Sequence, residues 1–310
     1  MTPRRSPARA VALAALCALE GCGLGPGPTP KDVQLTITRD FGARVLHGAR
    51  APRVVGQETV MSLLRRNVAV NARYAGGFVQ GIDGLQGGTR GGKPWDWFYY
   101  VNGVQAPKGA AETSVHAGDR VWWDLHDWSQ TETVPAVVGS FPEPFLAGID
   151  GKRLPVRVEC AEPSASSCRA VVERLRSLGA PAALAAISGG DEPYTLRVLV
   201  GRFSTLEADP SVHSIGAGPR SSGVYARFSA GGAALDLIDE AGHTTRTLGA
   251  GAGLVAATRY REEAPVWVVA GTDSAGVSRA ASALDAASLD NHFALALEGS
   301  GTAVALPDRR

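Results

Sequence analysis

Asn102-Gly103 stands between the runs WDWFYYV (95–101) and VQAP (104–107). An Asn-Gly pair flanked by apolar residues is the strongest short-range signal for a tight β-hairpin, because both turn positions must adopt positive φ. Residues 95–107 are therefore expected to fold back on themselves as antiparallel strands. The period-2 geometry of a strand then places Trp95, Trp97 and Tyr99 on one face and Phe98 and Tyr100 on the other. The segment HAGDRVWWDLHDW (116–128) reads as a further strand, with Val121, Trp123 and Leu125 opposing Trp122, Asp124, His126 and Trp128. Aromatic residues make up only 6% of the chain, so this concentration asks for an explanation. Upstream, VQLTITRDFG (33–42) alternates as a half-buried strand, RVLHGARAPRV (44–54) reads as a second, and GQETVMSLLRRN (56–67) spaces Val60, Leu63 and Leu64 as one short amphipathic helix with Thr59 at its start. One short helix covers one face of a sheet. Trp123, Leu125 and one hairpin face are thus expected inside, and the remaining rings are either covered by something else, such as the second domain, or left exposed as a candidate platform. Trp95, Trp97, Tyr99, Tyr100, Asn102, Trp122 and Trp128 are the candidate ligand-binding residues, suited by their rings to planar or sugar-like molecules or to a protein edge.

The order of strands and helix, with GQETVMSLL, then WDWFYYVNG, then VHAGDRVWWDL, resembles the DUF4430 family, which is similar to the C-terminal domain of transcobalamin and intrinsic factor. The resemblance spans about 100 residues, roughly 31–130. It implies a small β-grasp-like module without enzyme activity. In the vitamin carriers the module helps to enclose a corrinoid, so the resemblance implies a cobalamin-like ligand as the best single guess; the α-helical barrel of those carriers has no counterpart in the resemblance.

Ahead of this module, Arg4, Arg5 and Arg9 precede the apolar run AVALAALCAL (10–19) and then LEGC (19–22). A charged start, a short apolar run and a small residue before cysteine are the pattern of an export signal, and LEGC resembles the bacterial lipobox, with Glu20 departing from the usual small or apolar residue. Residues 1–22 are read as a lipoprotein-type signal peptide, Cys22 as the lipidated residue, and GLGPGPTP (23–30) as a Gly/Pro tether. The apolar run is shorter than the ~20 residues of a membrane-spanning helix. The expected location is extracytoplasmic, with the membrane held through the lipid anchor. In that oxidising setting Cys160 and Cys168 are expected to pair; CAEPSASSC offers too few ligands for a metal, and a catalytic thiol would need a base that the sequence does not identify.

A Pro-rich stretch at 131–151 reads as a linker to a second domain over 152–307. There LPVRVEC, the helix SSCRAVVERLRSLG with Val171, Leu175 and Leu178 on one stripe, and AALAAI give a β-α-β unit. LRVLV, VYARF, ALDLI, LVAAT, VWVVA and HFALALE are further strands, and VSRAASALDAASL is a helix. The apolar strands predict an α/β sandwich with mixed or parallel pairing. The fold class is α+β overall: a β-grasp-like first domain followed by an α/β sandwich domain.

Several motif-like stretches carry no chemistry on this reading. GGTRGGKP (87–94) lacks the hydroxyl and following helix of a phosphate loop, and GAGAGL (249–254) leads into a strand. Gly271 to Gly276 sit between a strand and a helix and read as a structural turn, the alternative being an anion or partner contact, and Thr272 stands where a nucleophile elbow around Ser274 needs glycine. Asp124, His126 and His116 are a weak metal set, better read as a solvated face. Lys+Arg 31 against Asp+Glu 30 gives no charge excess for nucleic acid. The expectation is a surface-anchored, non-catalytic binding lipoprotein that captures a small ligand such as a corrinoid and hands it to a membrane uptake system. The alternative is a structural or adhesive envelope protein that binds protein or glycan through its aromatic edge.

Overall fold

The computed structural model describes residues 29–49, 51–73, 77–187, 194–261 and 263–309. The expected signal peptide, Cys22 and most of the tether lie outside them. The first half holds β1 (Gln34–Arg39), β2 (Arg44–Ala49), α1 (Val60–Asn67), β3 (Val70–Arg73), β4 (Phe78–Ile82), β5 (Leu85–Gln86), β6 (Gly88–Arg90), β7 (Lys93–Val101), β8 (Val104–Gln105) and β9 (Arg120–Asp127). A mixed sheet runs β2-β1-β9-β7-β6, with β8 paired to β7. The β1–β9 pair is parallel and the others are antiparallel, the β-grasp-like order expected from the sequence. The predicted hairpin forms: Val101 faces Val104, and Asn102 and Gly103 adopt φ of 54° and 76°. GGTRGGKP is a second hairpin, turning between β6 and β7 at Gly91-Gly92.

Helix α1 starts where Thr59 caps it. The Thr59 Oγ1 accepts from the Ser62 amide at 3.2 Å, and the Ser62 Oγ accepts from the Thr59 amide at 2.9 Å, satisfying two end donors reciprocally. The helix buries Val60, Met61, Leu63 and Leu64 against Leu35, Ile37, Trp97, Val121, Trp123 and Leu125. A small sheet β3-β4-β5 closes this core through Val79 and Ile82; its glycine-interrupted sequence had hidden it.

The second half holds β10 (Val156–Cys160), α2 (Ser166–Ser177), β11 (Ala182–Ala186), β12 (Leu196–Arg202), α3 (Phe203–Leu206), α4 (Pro210–Gly216), α5 (Pro219–Ser222), β13 (Ala226–Phe228), β14 (Leu235–Ile238), β15 (Thr244–Leu248), β16 (Gly253–Thr258), β17 (Val266–Gly271), α6 (Ser274–Ser282), α7 (Ala286–Leu289), β18 (Ala294–Leu297) and β19 (Ala303–Leu306). Seven strands form a sheet in the order β11-β10-β12-β17-β16-β18-β19. The first four are mutually parallel and the rest antiparallel, which is the mixed pairing that apolar runs such as VWVVA predict. Helices α2 and α6 pack on one face with Val158, Val198, Val255 and Val269. Two local details depart from the periodicity. Leu178 lies past the last turn of α2 and is exposed, and Cys168 takes its place on the buried stripe. The helix expected over 277–289 is two, because the Asp285 carboxylate accepts from the Ala287 and Ser288 amides at 3.0 Å and starts a new turn.

The opposite face of the large sheet meets the first half. Leu199, Leu254, Ala256 and Val268 share one buried cluster with Phe41, Tyr100 and Trp122. The stretch 131–151 is packed: Val134 and Val137 join that cluster, while Val138, Phe141 and Phe145 join the core on the helix side, where both phenylalanines lie against Trp267. Its prolines marked a break in periodicity, and its apolar residues decide where it sits.

Candidate functional site

The aromatic strands divide as period-2 geometry requires, but their outer face is covered. Trp122 is 2% exposed and Tyr100 0%. Phe293, from the second half, sets its ring edge-on to Trp122, Tyr100, Phe41 and His126 at centroid distances of 5.3, 5.6, 5.2 and 5.5 Å. His126, 3% exposed, is sandwiched between Phe41 and Phe98, each at 4.5 Å. Polar groups in this joint are tied together. The Trp122 Nε1 donates to Thr38 Oγ1 at 2.7 Å, Thr38 donates to Asp124, and Asp124 also accepts from the Phe41 and Gly42 amides and pairs with His126 Nδ1 at 2.9 Å. Burial drives the Tyr100 phenol well above its ordinary pKa.

This corrects the expectation of an exposed platform at Tyr100, Asn102 and Trp122. One short helix does cover only one face of the sheet; the second half covers the other. Asn102 is fully buried, with Nδ2 donating to Asp119 Oδ1 (2.8 Å) and Gly148 O (2.9 Å) and Oδ1 accepting from the Arg120 amide (2.9 Å). Trp97 is 6% exposed, inside the α1 core, with Nε1 donating to Leu85 O at 3.2 Å. The other three candidates are half-buried and engaged. Tyr99 stacks on Trp123 at 4.8 Å and its hydroxyl meets Lys108 O and Thr113 Oγ1. Trp95 lies under the Arg90 guanidinium, and Trp128 Nε1 donates to Asp96 at 2.9 Å. Asp124 and His126 face the joint, not solvent as a wet strand face would require. Among the described residues no group of three or more His, Cys, Asp and Glu side chains is placed to hold a metal ion.

Where the hairpin leaves the joint, a groove of about 370 Å³ opens, walled by Val101, Val104 and Pro107 on one side and Ile149 on the other. That is within the ~300–1,000 Å³ range of small-molecule sites. Lys108, Glu112, Thr113 and His116 place polar groups on its rim. The wall at Ile149 is a tight turn: Ile149 and Lys152 exchange backbone bonds at 3.0 Å around Asp150 and Gly151, both at positive φ. A Cβ at Gly151 would stand 2.6 Å from the His116 ring, so only glycine lets the turn lie against that histidine. Asp119 ties the rim to the hairpin. Its Oδ2 accepts from the His116 amide at 2.7 Å and its Oδ1 from Asn102, and burial holds its carboxyl above the ordinary value against those hydrogen bonds. Of the residues singled out in the sequence, His116 lies on the rim of this groove, Tyr99 holds Lys108 and Thr113 from behind it, and Asn102 supports it through Asp119. The Asp150-Gly151 pair was a usable turn signal within what read as linker.

The disulfide expected between Cys160 and Cys168 is present, joining the end of β10 to the first turn of α2. The turn at Gly271 to Gly276 is structural: Asp273 caps α6, accepting from Gly276 N at 2.9 Å and Gly251 N at 2.7 Å, so the anion at this helix start is the protein's own. Those hydrogen bonds, led by that from Gly276, hold the Asp273 carboxyl below its ordinary value. Among the described residues no helix is long and apolar enough to cross a membrane.

Residues 57–127 match the sequence model of a family described as "Domain of unknown function (DUF4430)". The match covers α1, the aromatic hairpin and β9, and includes Val101 to His116 of the groove. No curated protein and no solved structure matches the chain.

Proposed function

We propose that this chain is an exported binding protein, anchored to the membrane through Cys22, which holds a small, partly apolar molecule in the groove between Val101 and Ile149. The observation that carries the reading is the groove itself, an apolar-walled recess with convergent polar rim groups, one wall of which belongs to the family-matched residues and the other, at Ile149, to the stretch after them. Its walls are set by a rigid hairpin and a tight turn, which lowers the ordering cost of binding. A corrinoid, the ligand implied by the likeness to the vitamin carriers, is larger than the groove and would rest only an edge in it; the volume favours a smaller body. Transfer to a membrane uptake system is the natural sequel for an anchored carrier.

Isothermal titration with cobalamin, cobinamide and haem, together with mass spectrometry of small molecules that co-elute with protein isolated from its own membranes, tests the reading. A ligand held more tightly than about 100 μM, roughly −5.5 kcal/mol, and lost in Ile149→Asp supports it. Absence of any such ligand by both routes contradicts it. For the anchor, Cys22→Ser should move the protein from the membrane to the soluble fraction, and unchanged fractionation would remove the anchor from the account. A second reading, contact with an envelope protein by strand addition, is favoured by β2, a sheet edge that leaves Val45 56% and Leu46 48% exposed.

A further inference from the structure

On the far side of the Gln105–Pro107 segment from the groove lies a second recess, about 470 Å³, with walls from three parts of the chain. Gln105, Ala106 and Pro107 come from the hairpin, Thr133 and Pro135 from the connecting stretch, and Arg220, Ser221, Ser222, Gly223, Arg259 and Arg261 from the second half. Three arginines line it, and among the described residues no carboxylate does. In a chain with nearly balanced charge, this is a local concentration of one sign, and a recess with low-dielectric walls focuses such a field.

The arginines are held by different means. The Arg259 Nε donates to the Glu263 carbonyl at 2.7 Å, which fixes its guanidinium at the end of β16. Arg261 lies with its guanidinium 5.1 Å from the centre of the Tyr260 ring, and its backbone sits at φ of 52°, in the left-handed region that costs a residue with a side chain. Arg220 is the second residue of the one-turn helix α5. Neither Arg220 nor Arg261 has a carboxylate within ion-pairing distance among the described residues. The walls between them are rigid: Gln105 N donates to Pro135 O at 3.1 Å, and a Cβ at Gly223 would stand 2.8 Å from Pro135 and Val134.

We infer that this cleft binds a multivalent oxyanion, whose clustered oxygens are gripped by the guanidinium forks of Arg220 and Arg261, with Arg259 held in the wall by the Glu263 carbonyl. Arginine matches phosphate and carboxylate oxygens bidentately, and two forks facing one recess select for more than one negative charge. The inference is independent of whether the neighbouring groove is filled.

Titration calorimetry of the purified protein with sodium pyrophosphate, citrate and inorganic phosphate, at ionic strength fixed with sodium chloride, provides the test. Saturable binding of pyrophosphate or citrate is expected, weakened at least about tenfold in Arg220→Gln/Arg261→Gln, and falling as salt is raised. Tighter binding of pyrophosphate would identify a phosphoryl ligand and tighter binding of citrate a polycarboxylate; either supports the site. The pair Arg220→Lys/Arg261→Lys keeps the charge without the forks, should fold as the parent does, and should bind less tightly than it. Lys31→Gln/Arg65→Gln, a change of equal charge outside the cleft, should leave binding unchanged. No binding of either multivalent anion at about 10 mM, undiminished binding in Arg220→Gln/Arg261→Gln, or an equal loss in Lys31→Gln/Arg65→Gln would overturn the inference.

Discussion

Trp122 and Phe293 meet edge to ring with their centroids 5.3 Å apart, one from the last strand of the first sheet and the other just ahead of β18 in the second. This contact joins the two halves of the chain. Truncating Phe293 to alanine removes a ring that also touches Tyr100, Phe41 and His126. Phe293→Ala is expected to cost about 3–5 kcal/mol, read by denaturant unfolding with tryptophan fluorescence. A loss below about 1 kcal/mol would mean that the joint is not a shared core.

Gly139 gives an independent probe of the same joint. A Cβ there would stand 2.7 Å from the His292 amide nitrogen, 2.8 Å from its carbonyl oxygen and 2.8 Å from the Trp122 ring. The first two are backbone atoms that cannot swing aside. Gly139→Ala should therefore destabilise by about 1–3 kcal/mol even though alanine is the smaller entropic burden in the unfolded chain. A neutral or stabilising result in thermal denaturation would contradict the close approach.

His292 supplies a pH dependence. Burial lowers its pKa from the ordinary 6.5, only partly opposed by Asp290. The unfolded chain takes up a proton that the folded chain resists, so this contribution is complete above the ordinary value and is lost as pH falls through the lowered one. Stability measured from neutral pH down to about 5 should fall less in His292→Gln than in the parent. Parallel profiles would show that His292 does not carry the effect.

The Cys160–Cys168 bond closes a loop with a sequence separation of 8. Chain entropy puts its contribution on the order of 2–3 kcal/mol. Cys160→Ala/Cys168→Ala should lose about that much, and reductant should lower the stability of the parent alone. Equal stability of parent and variant under oxidising conditions would count against a stabilising role.

Much of the fold could be read from local chemistry. Asn102-Gly103 announced its hairpin, Thr59 marked the start of α1, and runs such as LRVLV and VWVVA declared strands buried on both faces. Trp122 and Tyr100 were placed on the correct side of their strands, yet what covers that side is Phe293 and its neighbours, brought there by tertiary packing that no local period records. The groove was hidden for the same reason. Val101 and Ile149 belong to segments distant in sequence, and Ile149 lay in a stretch whose prolines suggested a linker while Phe141 and Phe145 were already apolar enough to be core.

The most direct test of the ligand groove uses Nile red, a flat, neutral, partly apolar dye whose emission rises in an apolar recess. Titrated into the parent protein it should show one saturable site, lost in Ile149→Asp and retained in Trp95→Ala and Trp128→Ala. Saturable binding that survives Ile149→Asp but disappears in the two tryptophan variants would return the site to the aromatic edge and contradict the account.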